Sequence, residues 1–68
     1  MGLTVEVEQE VDGRWIAEVP ELSGVLAYGQ SRQEAIARAE ALALREIADR
    51  LDHGEAVPDL GRVFSVVT

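Results

Sequence analysis

One helix-forming segment lies between segments with the alternation of β-strands, which limits the fold to a sheet covered by a single helix. Ser31 and Glu34 have the spacing of a capping box, in which the serine hydroxyl accepts from the Glu34 amide and the glutamate bonds back. The helix is predicted to end near His53, with Gly54 as its stop signal. Its apolar stripe consists of Ile36, Ala39, Ala43, Ile47 and Leu51.

Alternating apolar and polar residues predict strands on both sides of this helix. The predicted strands are residues 3–11, 14–19, 25–28 and 62–67. Asp12 and Gly13 join the first two strands and are typical of a hairpin turn.

The register of this first hairpin follows from keeping apolar side chains on one face. We predict a three-residue loop over 12–14 with a glycine bulge, which pairs Val11 with Trp15. A two-residue turn would mix apolar and acidic side chains on both faces. The preferred register also places Glu8 directly opposite Glu18.

The second connection is predicted at residues 20–24, because its proline cannot continue a central strand. Val19 then pairs with Val25, and Ala17 pairs with Ala27. Both pairs fall on the apolar face, so one register satisfies the whole meander.

The predicted fold class is α+β, a two-layer β-β-β-α-β arrangement in a single domain over residues 1–68. Three antiparallel strands are joined by a fourth strand parallel to the first, which a right-handed crossover through the helix would place in the order 3-2-1-4. The one helix covers one face of the sheet. The other face is expected to stay open.

The charge and composition of the chain argue against several classes of function. Thirteen Asp and Glu residues against six Arg and Lys residues give a net charge of −7. A binder of duplex nucleic acid or of an anionic membrane needs clustered basic residues, so neither function is expected. A basic partner is favoured at long range. The absence of cysteine excludes disulfides and thiolate metal sites, and a soluble cytoplasmic protein is expected.

No residue pattern favours catalysis, and we expect neither an enzyme nor a metal or other cofactor. Acidic residues on one face of a strand stand about 7 Å apart, whereas two-metal catalysis needs converging oxygens from several elements. Ser31 is interpreted as a helix cap and His53 as a partner for the carbonyls of the helix end. Trp15 is assigned to the core rather than to base stacking.

A combined string of residues resembles the HicB-like antitoxin domain family. The residues of this string are Asp12, Gly13, Trp15, Ala17, Pro20, Glu21, Leu22 and Gly24, followed by Gly29, Ser31, Glu34 and Ala35. The likeness covers residues 3 to about 58, including Gly54, Glu55 and Pro58. Ser23 stands where the family usually has proline. Many members continue into a DNA-binding domain, which is not expected after Thr68.

The resemblance implies a partial ribonuclease-H-like fold. It also implies binding of a small basic HicA-like toxin, an RNA-cleaving protein with a double-stranded-RNA-binding fold. Such antitoxins commonly self-associate. Repression of their own operon would require the DNA-binding domain.

The open sheet face is the expected partner-binding surface. Its predicted residues are Glu6, Glu8, Glu10, Ile16, Glu18, Leu26 and Tyr28. An apolar patch rimmed by carboxylates suits a basic partner, with Tyr28 as its anchor. A solvated face that tolerates modest charge repulsion is the alternative interpretation.

Self-association is expected from two further features. The helix is predicted to be longer than the strands, so that Ile47 and Leu51 overhang the sheet. The last strand, with Val63, Phe64 and Val66, forms an edge without charge or proline. The predicted function is therefore an antitoxin-like interaction module that is a homodimer or a higher homo-oligomer. The alternative is a free-standing dimeric structural or regulatory domain without a toxin.

Overall fold

The computed structural model describes residues 3–57 and the backbone of residues 64–67. Along the chain the elements are β1 (Leu3–Gln9), β2 (Trp15–Glu18), β3 (Leu26–Gly29), α1 (Arg32–Asp52) and β4 (Phe64–Val67). The strands β1, β2 and β3 form an antiparallel meander, and α1 packs on one face of it. The prediction of an α+β domain with three antiparallel strands and one helix is confirmed.

The strand order in the sheet is β3-β2-β1-β4. The backbone of β4 lies beside β1 in parallel, with Leu3 paired with Phe64 and Val5 with Val66. The sheet edges in the described part of the chain are therefore β3 and β4. Of the residues predicted for self-association at this edge, Val63 lies outside the described residues.

The core lies between α1 and the sheet face formed by alternate strand residues. Sheet and connecting residues in it are Leu3, Val5, Val7, Ala17, Val19, Leu22, Val25 and Ala27. The helix contributes Ala35, Ala39, Ala43 and Ile47. Because three of these four helical residues are alanine, the helix backbone lies close to the sheet.

The closest approach of helix and sheet is at Gly29, the last residue of β3. A Cβ atom there would stand 2.5 Å from the backbone nitrogen of Ala35 and 3.0 Å from its Cα. Real Cβ atoms do not approach backbone that closely, so the position admits only glycine. Gly29 thereby fixes where the first turn of α1 meets the sheet.

The start of α1 is capped as the sequence predicts. Ser31 has extended backbone angles, and its Oγ accepts the Glu34 N–H at 3.1 Å. The Glu34 carboxylate reaches back and accepts the N–H of Gln30 at 2.7 Å, one residue before the cap. The predicted reciprocal bond is therefore present, with a shifted donor.

The helix ends at Asp52, with His53 as its C-cap, which confirms the predicted end. The His53 backbone N–H donates to the Asp49 carbonyl at 3.2 Å, and its ring Nδ1 lies 2.7 Å from the same oxygen. The histidine thus serves the helix terminus, as predicted from the sequence.

The register predicted for the first hairpin is wrong by one residue in each strand. Gln9 pairs with Trp15, and the three-residue loop is 11–13 instead of 12–14. Glu10 N–H donates to the Arg14 carbonyl at 2.7 Å. Val11, predicted to pair with Trp15 on the apolar face, is fully exposed in the turn.

The conformation required by the loop explains the difference. A three-residue hairpin loop ends with a residue in the left-handed region, which glycine adopts without strain. In the observed loop that residue is Gly13, with φ +93°. The predicted loop would have required Arg14 in that conformation. The backbone preference at the turn therefore outweighs the burial of Val11.

The corrected register changes which side chains oppose each other and preserves the two faces. Glu6, instead of Glu8, lies opposite Glu18, and Glu8 lies opposite Ile16. A shift of one residue in both strands keeps every side chain on its face, because side chains alternate with a period of two. The second hairpin has the predicted register, in which Ala17 pairs with Ala27.

The predicted overhang of the helix is wrong for one of its two residues. Ile47 is only 3% exposed and belongs to the core of its own chain. Leu51, one turn later, is 55% exposed. The buried stripe of α1 therefore ends at Ile47, and only its last turn extends past the packed layer.

Candidate interaction surface on the open sheet face

The face of the sheet opposite α1 carries the predicted partner-binding residues. We define the open face as Glu6, Glu8, Ile16, Glu18, Leu26 and Tyr28. All six alternate with core residues along their strands, and all are exposed except the half-buried Ile16. In residues 3–57 no second layer covers this face. The structure thus brings together six of the seven residues that the sequence grouped, and the seventh, Glu10, lies beside Arg14 at the end of the β1–β2 ladder.

The open face has an acidic half and an apolar half, which two cross-strand rows of residues connect. One row runs from Glu6 through Glu18 to Leu26. The next row runs from Glu8 through Ile16 to Tyr28. Carboxylates therefore lie along β1 and the end of β2, whereas apolar side chains lie towards β3.

Within the first row, Glu6 and Glu18 are directly opposed. Opposed side chains on antiparallel strands have Cβ atoms about 5 Å apart, and like charges at that separation destabilise the pair. The sequence assigned this repulsion to Glu8, which the structure places opposite Ile16. The acidic half of the open face therefore contains a charge pair whose repulsion a cation between the two carboxylates would relieve.

The apolar half contains Tyr28, which is 39% exposed. The guanidinium carbon of Arg14 stands 4.7 Å from the ring centroid, in cation–π geometry. Arg14 is also held by Asp12, with 2.8 Å between Nε and Oδ2. One side of the tyrosine ring is therefore already in contact with a cation of the same chain.

Arg14 is a member of this surface that the sequence reasoning missed. The predicted loop 12–14 placed it in the turn, whereas the observed register places it beside Glu10 at the end of the ladder. The signal was present, since Glu10 and Arg14 form an opposite-charge cross-strand pair. If the Glu10–Arg14 pair is preferred to the Val11–Trp15 pair, the sequence predicts the observed register and places Arg14 on this surface.

The Asp12 carboxylate stabilises the turn that positions Arg14. Its Oδ1 accepts the Arg14 N–H at 3.1 Å, and its Oδ2 accepts from Arg14 Nε at 2.8 Å. The hydrogen bond from the Arg14 backbone lowers the pKa of Asp12 below its ordinary value, and the guanidinium acts in the same direction. Asp12 is therefore ionised at neutral pH and holds Arg14 next to Tyr28.

Tyr28 is also fixed through its backbone. Arg38 Nη1, from α1, donates to the Tyr28 carbonyl at 3.1 Å, at the outer side of the edge strand β3. The same nitrogen lies 3.7 Å from a Glu34 carboxylate oxygen. The position of Tyr28 is therefore tied to the helix as well as to the sheet.

Glu21 continues the hydrogen-bond ladder where β2 ends. The N–H of Thr4, in β1, donates to both Glu21 carboxylate oxygens at 3.0 and 3.1 Å. Desolvation raises the pKa of Glu21, but the hydrogen bonds from Thr4 outweigh it and hold that pKa below its ordinary value. An ionised side chain thus closes the β1–β2 pairing.

The remaining residues of the family-like string also have structural roles. Leu22, within the second connection, is buried in the core, and Trp15 packs against the core, as predicted for the tryptophan. Gly29, Ser31, Glu34 and Ala35 together build the start of α1. The string therefore accounts for turns, caps and close packing, and none of its residues belongs to the open face.

Within the described residues no group of three or more His, Cys, Asp or Glu side chains is placed to hold a metal ion. In that part of the chain no helix combines the length and the apolar character needed to cross a bilayer.

Comparison of the chain with protein-family models, with curated proteins and with solved structures finds no match.

Proposed function

We propose that this chain is a protein-interaction module of the HicB-like antitoxin type, which binds and occludes a small basic HicA-like ribonuclease toxin through its open face. The observation that carries the proposal is the division of the open face, with carboxylates of Glu6, Glu8 and Glu18 beside apolar Leu26 and Tyr28. In this proposal the domain has a two-layer β-β-β-α-β fold, in which β4 is the fourth strand of the sheet and runs parallel to β1. It acts by binding alone, as a homodimer or a higher homo-oligomer.

Electrostatics favours a basic partner on two length scales. The net charge of −7 attracts a cationic protein at distances up to about one Debye length, roughly 8 Å at physiological salt. At contact, an arginine or lysine placed between Glu6 and Glu18 removes a repulsion that the free domain contains. The cost of that repulsion in the free state thus becomes a gain on binding.

The apolar half supplies the burial that charge alone does not. Leu26 is 41% exposed and stands in the same row as the opposed carboxylates, next to the aromatic ring of Tyr28. Interfaces take most of their binding energy from a few buried anchors of this kind, surrounded by polar residues. The Arg14 guanidinium on the tyrosine ring then becomes part of the rim.

The test is a charge reversal on the open face. Glu6→Arg combined with Glu18→Arg should weaken binding of the purified toxin at least about tenfold by isothermal titration calorimetry, and wild-type affinity should fall with salt. Asp52→Arg combined with Glu55→Arg is the matched control, because it changes net charge equally at exposed positions away from this face. Equal losses in both variants, or none in the first, would contradict the proposal.

The toxin for this assay is a small basic protein whose reading frame adjoins that of the chain. Co-purification should recover it, its RNA cleavage should stop on addition of the chain, and high salt should release it. The second candidate function, a dimeric domain without a toxin, is favoured by the exposed Leu44 and Leu51 on α1. If this second function is correct, a pull-down from lysate with the tagged chain should recover only the chain itself.

A further inference from the structure

The side of α1 that faces away from the sheet carries apolar residues in a regular pattern. We call them the outer stripe: Ala37, Ala41, Leu44, Ala48 and Leu51. Leu44 is 51% exposed and Leu51 is 55% exposed; Ala37 and Ala48 are exposed, and Ala41 is half-buried. At 3.6 residues per turn the outer stripe lies about 140° around the helix axis from the buried stripe. Core packing within the chain does not use it.

The spacing of the outer stripe is that of a helix–helix seam. Its steps of four, three, four and three residues repeat the heptad pattern in which every first and fourth position faces a partner helix. A helix with one covered side normally presents polar residues on the other. The leucines at the fourth positions supply apolar area, and the alanines at the first positions let two helices approach closely.

Charges beside the outer stripe distinguish a parallel from an antiparallel partner. Arg38 and Arg45 follow it on one side, and Glu40 lies on the other. When two copies of α1 pair in parallel, Glu40 of each copy lies next to Arg45 of the other. Aligning the same seam antiparallel brings Arg38 of one copy close to Arg45 of the other, which is repulsive. In the described part of the chain, neither Glu40 nor Arg45 has an intramolecular ion pair.

We propose that two copies of this chain associate through the outer stripe, with their α1 helices parallel and Leu44 and Leu51 packed against their counterparts. The proposal rests on the self-association included in the proposed function and specifies its surface. It shares Leu51 with the helix surface that the sequence favoured, but it excludes Ile47, which is buried within its own chain. Toxin binding does not depend on it, since the open face lies on the other side of the sheet.

Sedimentation equilibrium of the full chain tests the surface. Leu44→Glu combined with Leu51→Glu should raise the dimer dissociation constant at least about tenfold, because two charges would be buried in an apolar seam. Both leucines are more than half exposed, so the variant should fold, which circular dichroism checks. Leu42→Glu is the matched control on the same helix, outside the stripe, and should leave the dimer intact.

A charge exchange tests the pairing of Glu40 with Arg45. Glu40→Arg and Arg45→Glu should each weaken self-association, since each places like charges across the seam. An equimolar mixture of the two variants should associate about as well as wild type, because each contact is then again between opposite charges. A mixture no stronger than either variant alone overturns the pairing.

A single introduced cysteine tests the parallel alignment, since the chain has none of its own. Leu51→Cys should form a disulfide-linked dimer on mild oxidation, because residue 51 meets its counterpart only in the parallel arrangement. Dimers that do not cross-link overturn the alignment. A dimer that survives Leu44→Glu with Leu51→Glu overturns the seam but not self-association. A monomeric wild type overturns both while leaving toxin binding to be judged by calorimetry.

Discussion

At the scale of single residues, Gly29 shows most directly how this sequence encodes its packing. Gly29→Ala should lower the free energy of unfolding by about 2 kcal/mol or more, because the added Cβ would stand 2.5 Å from backbone that cannot rotate away. Urea denaturation measures the change. Gly24→Ala is the control for backbone strain alone, since its φ is +86° but its Cβ would meet open space. An equal or smaller effect at Gly29 would contradict the close approach.

A second residue-scale prediction concerns Glu21 and pH. Its pKa in the folded chain lies below the ordinary 4.5, so the ionised carboxylate stabilises the fold above about that pH. This stabilisation is lost as the pH falls through the lowered pKa. Glu21→Gln should therefore be less stable than wild type at neutral pH, on the order of 0.5 kcal/mol for an exposed group, and the two should converge in acid.

Urea titrations at several pH values measure this convergence. Glu55→Gln is the control, because its exposed side chain lies beyond the helix end and has no part in the strand ladder. A constant difference between wild type and Glu21→Gln from neutral to acid pH would show that the hydrogen bond from Thr4 does not depend on ionisation.

At the scale of elements, the opposed pair of Glu6 on β1 and Glu18 on β2 should lower the stability of the free chain. Glu18→Gln should stabilise the free chain by about 0.5 kcal/mol, because it removes the repulsion with Glu6, and the gain should shrink in high salt. Glu8→Gln, opposite Ile16, should change stability little. The prediction fails if both variants change stability equally.

The hairpin of β1 and β2 also shows what sequence patterns predict and what they do not. The alternation of side chains places each residue on the correct face for any register of the right parity. It does not choose between registers that differ by one residue in both strands. That choice depended on the conformation of Gly13, and it moved Val11 into the turn and Arg14 next to Tyr28.

The helix was the most predictable element, because its signals are local. Ser31 and Glu34 mark its start, and His53 its end, without reference to the rest of the chain. Its partner surfaces were less predictable. The helical spacing of the sequence contains two apolar stripes. Only the packing of α1 on the sheet shows that Ile47 belongs to the buried stripe and that Leu44 lies outside the core.

At the scale of the whole molecule, the α+β architecture follows from one helical segment among strand-like segments. The six residues of the open face followed from the same alternation, since every second residue of a strand faces away from the helix. What remained out of reach of the sequence was their mutual arrangement. The opposed pair is Glu6 with Glu18, and the carboxylates and apolar residues occupy separate halves.

The placement of α1 on one face of the sheet has a consequence for valency. Two chains joined through their outer stripes stand back to back, so their open faces point away from each other. In this proposed assembly each face takes its own partner, so the expected stoichiometry is two toxins for two chains. A monovalent toxin would cap the assembly at that size, whereas a partner with two basic faces would link pairs into longer chains.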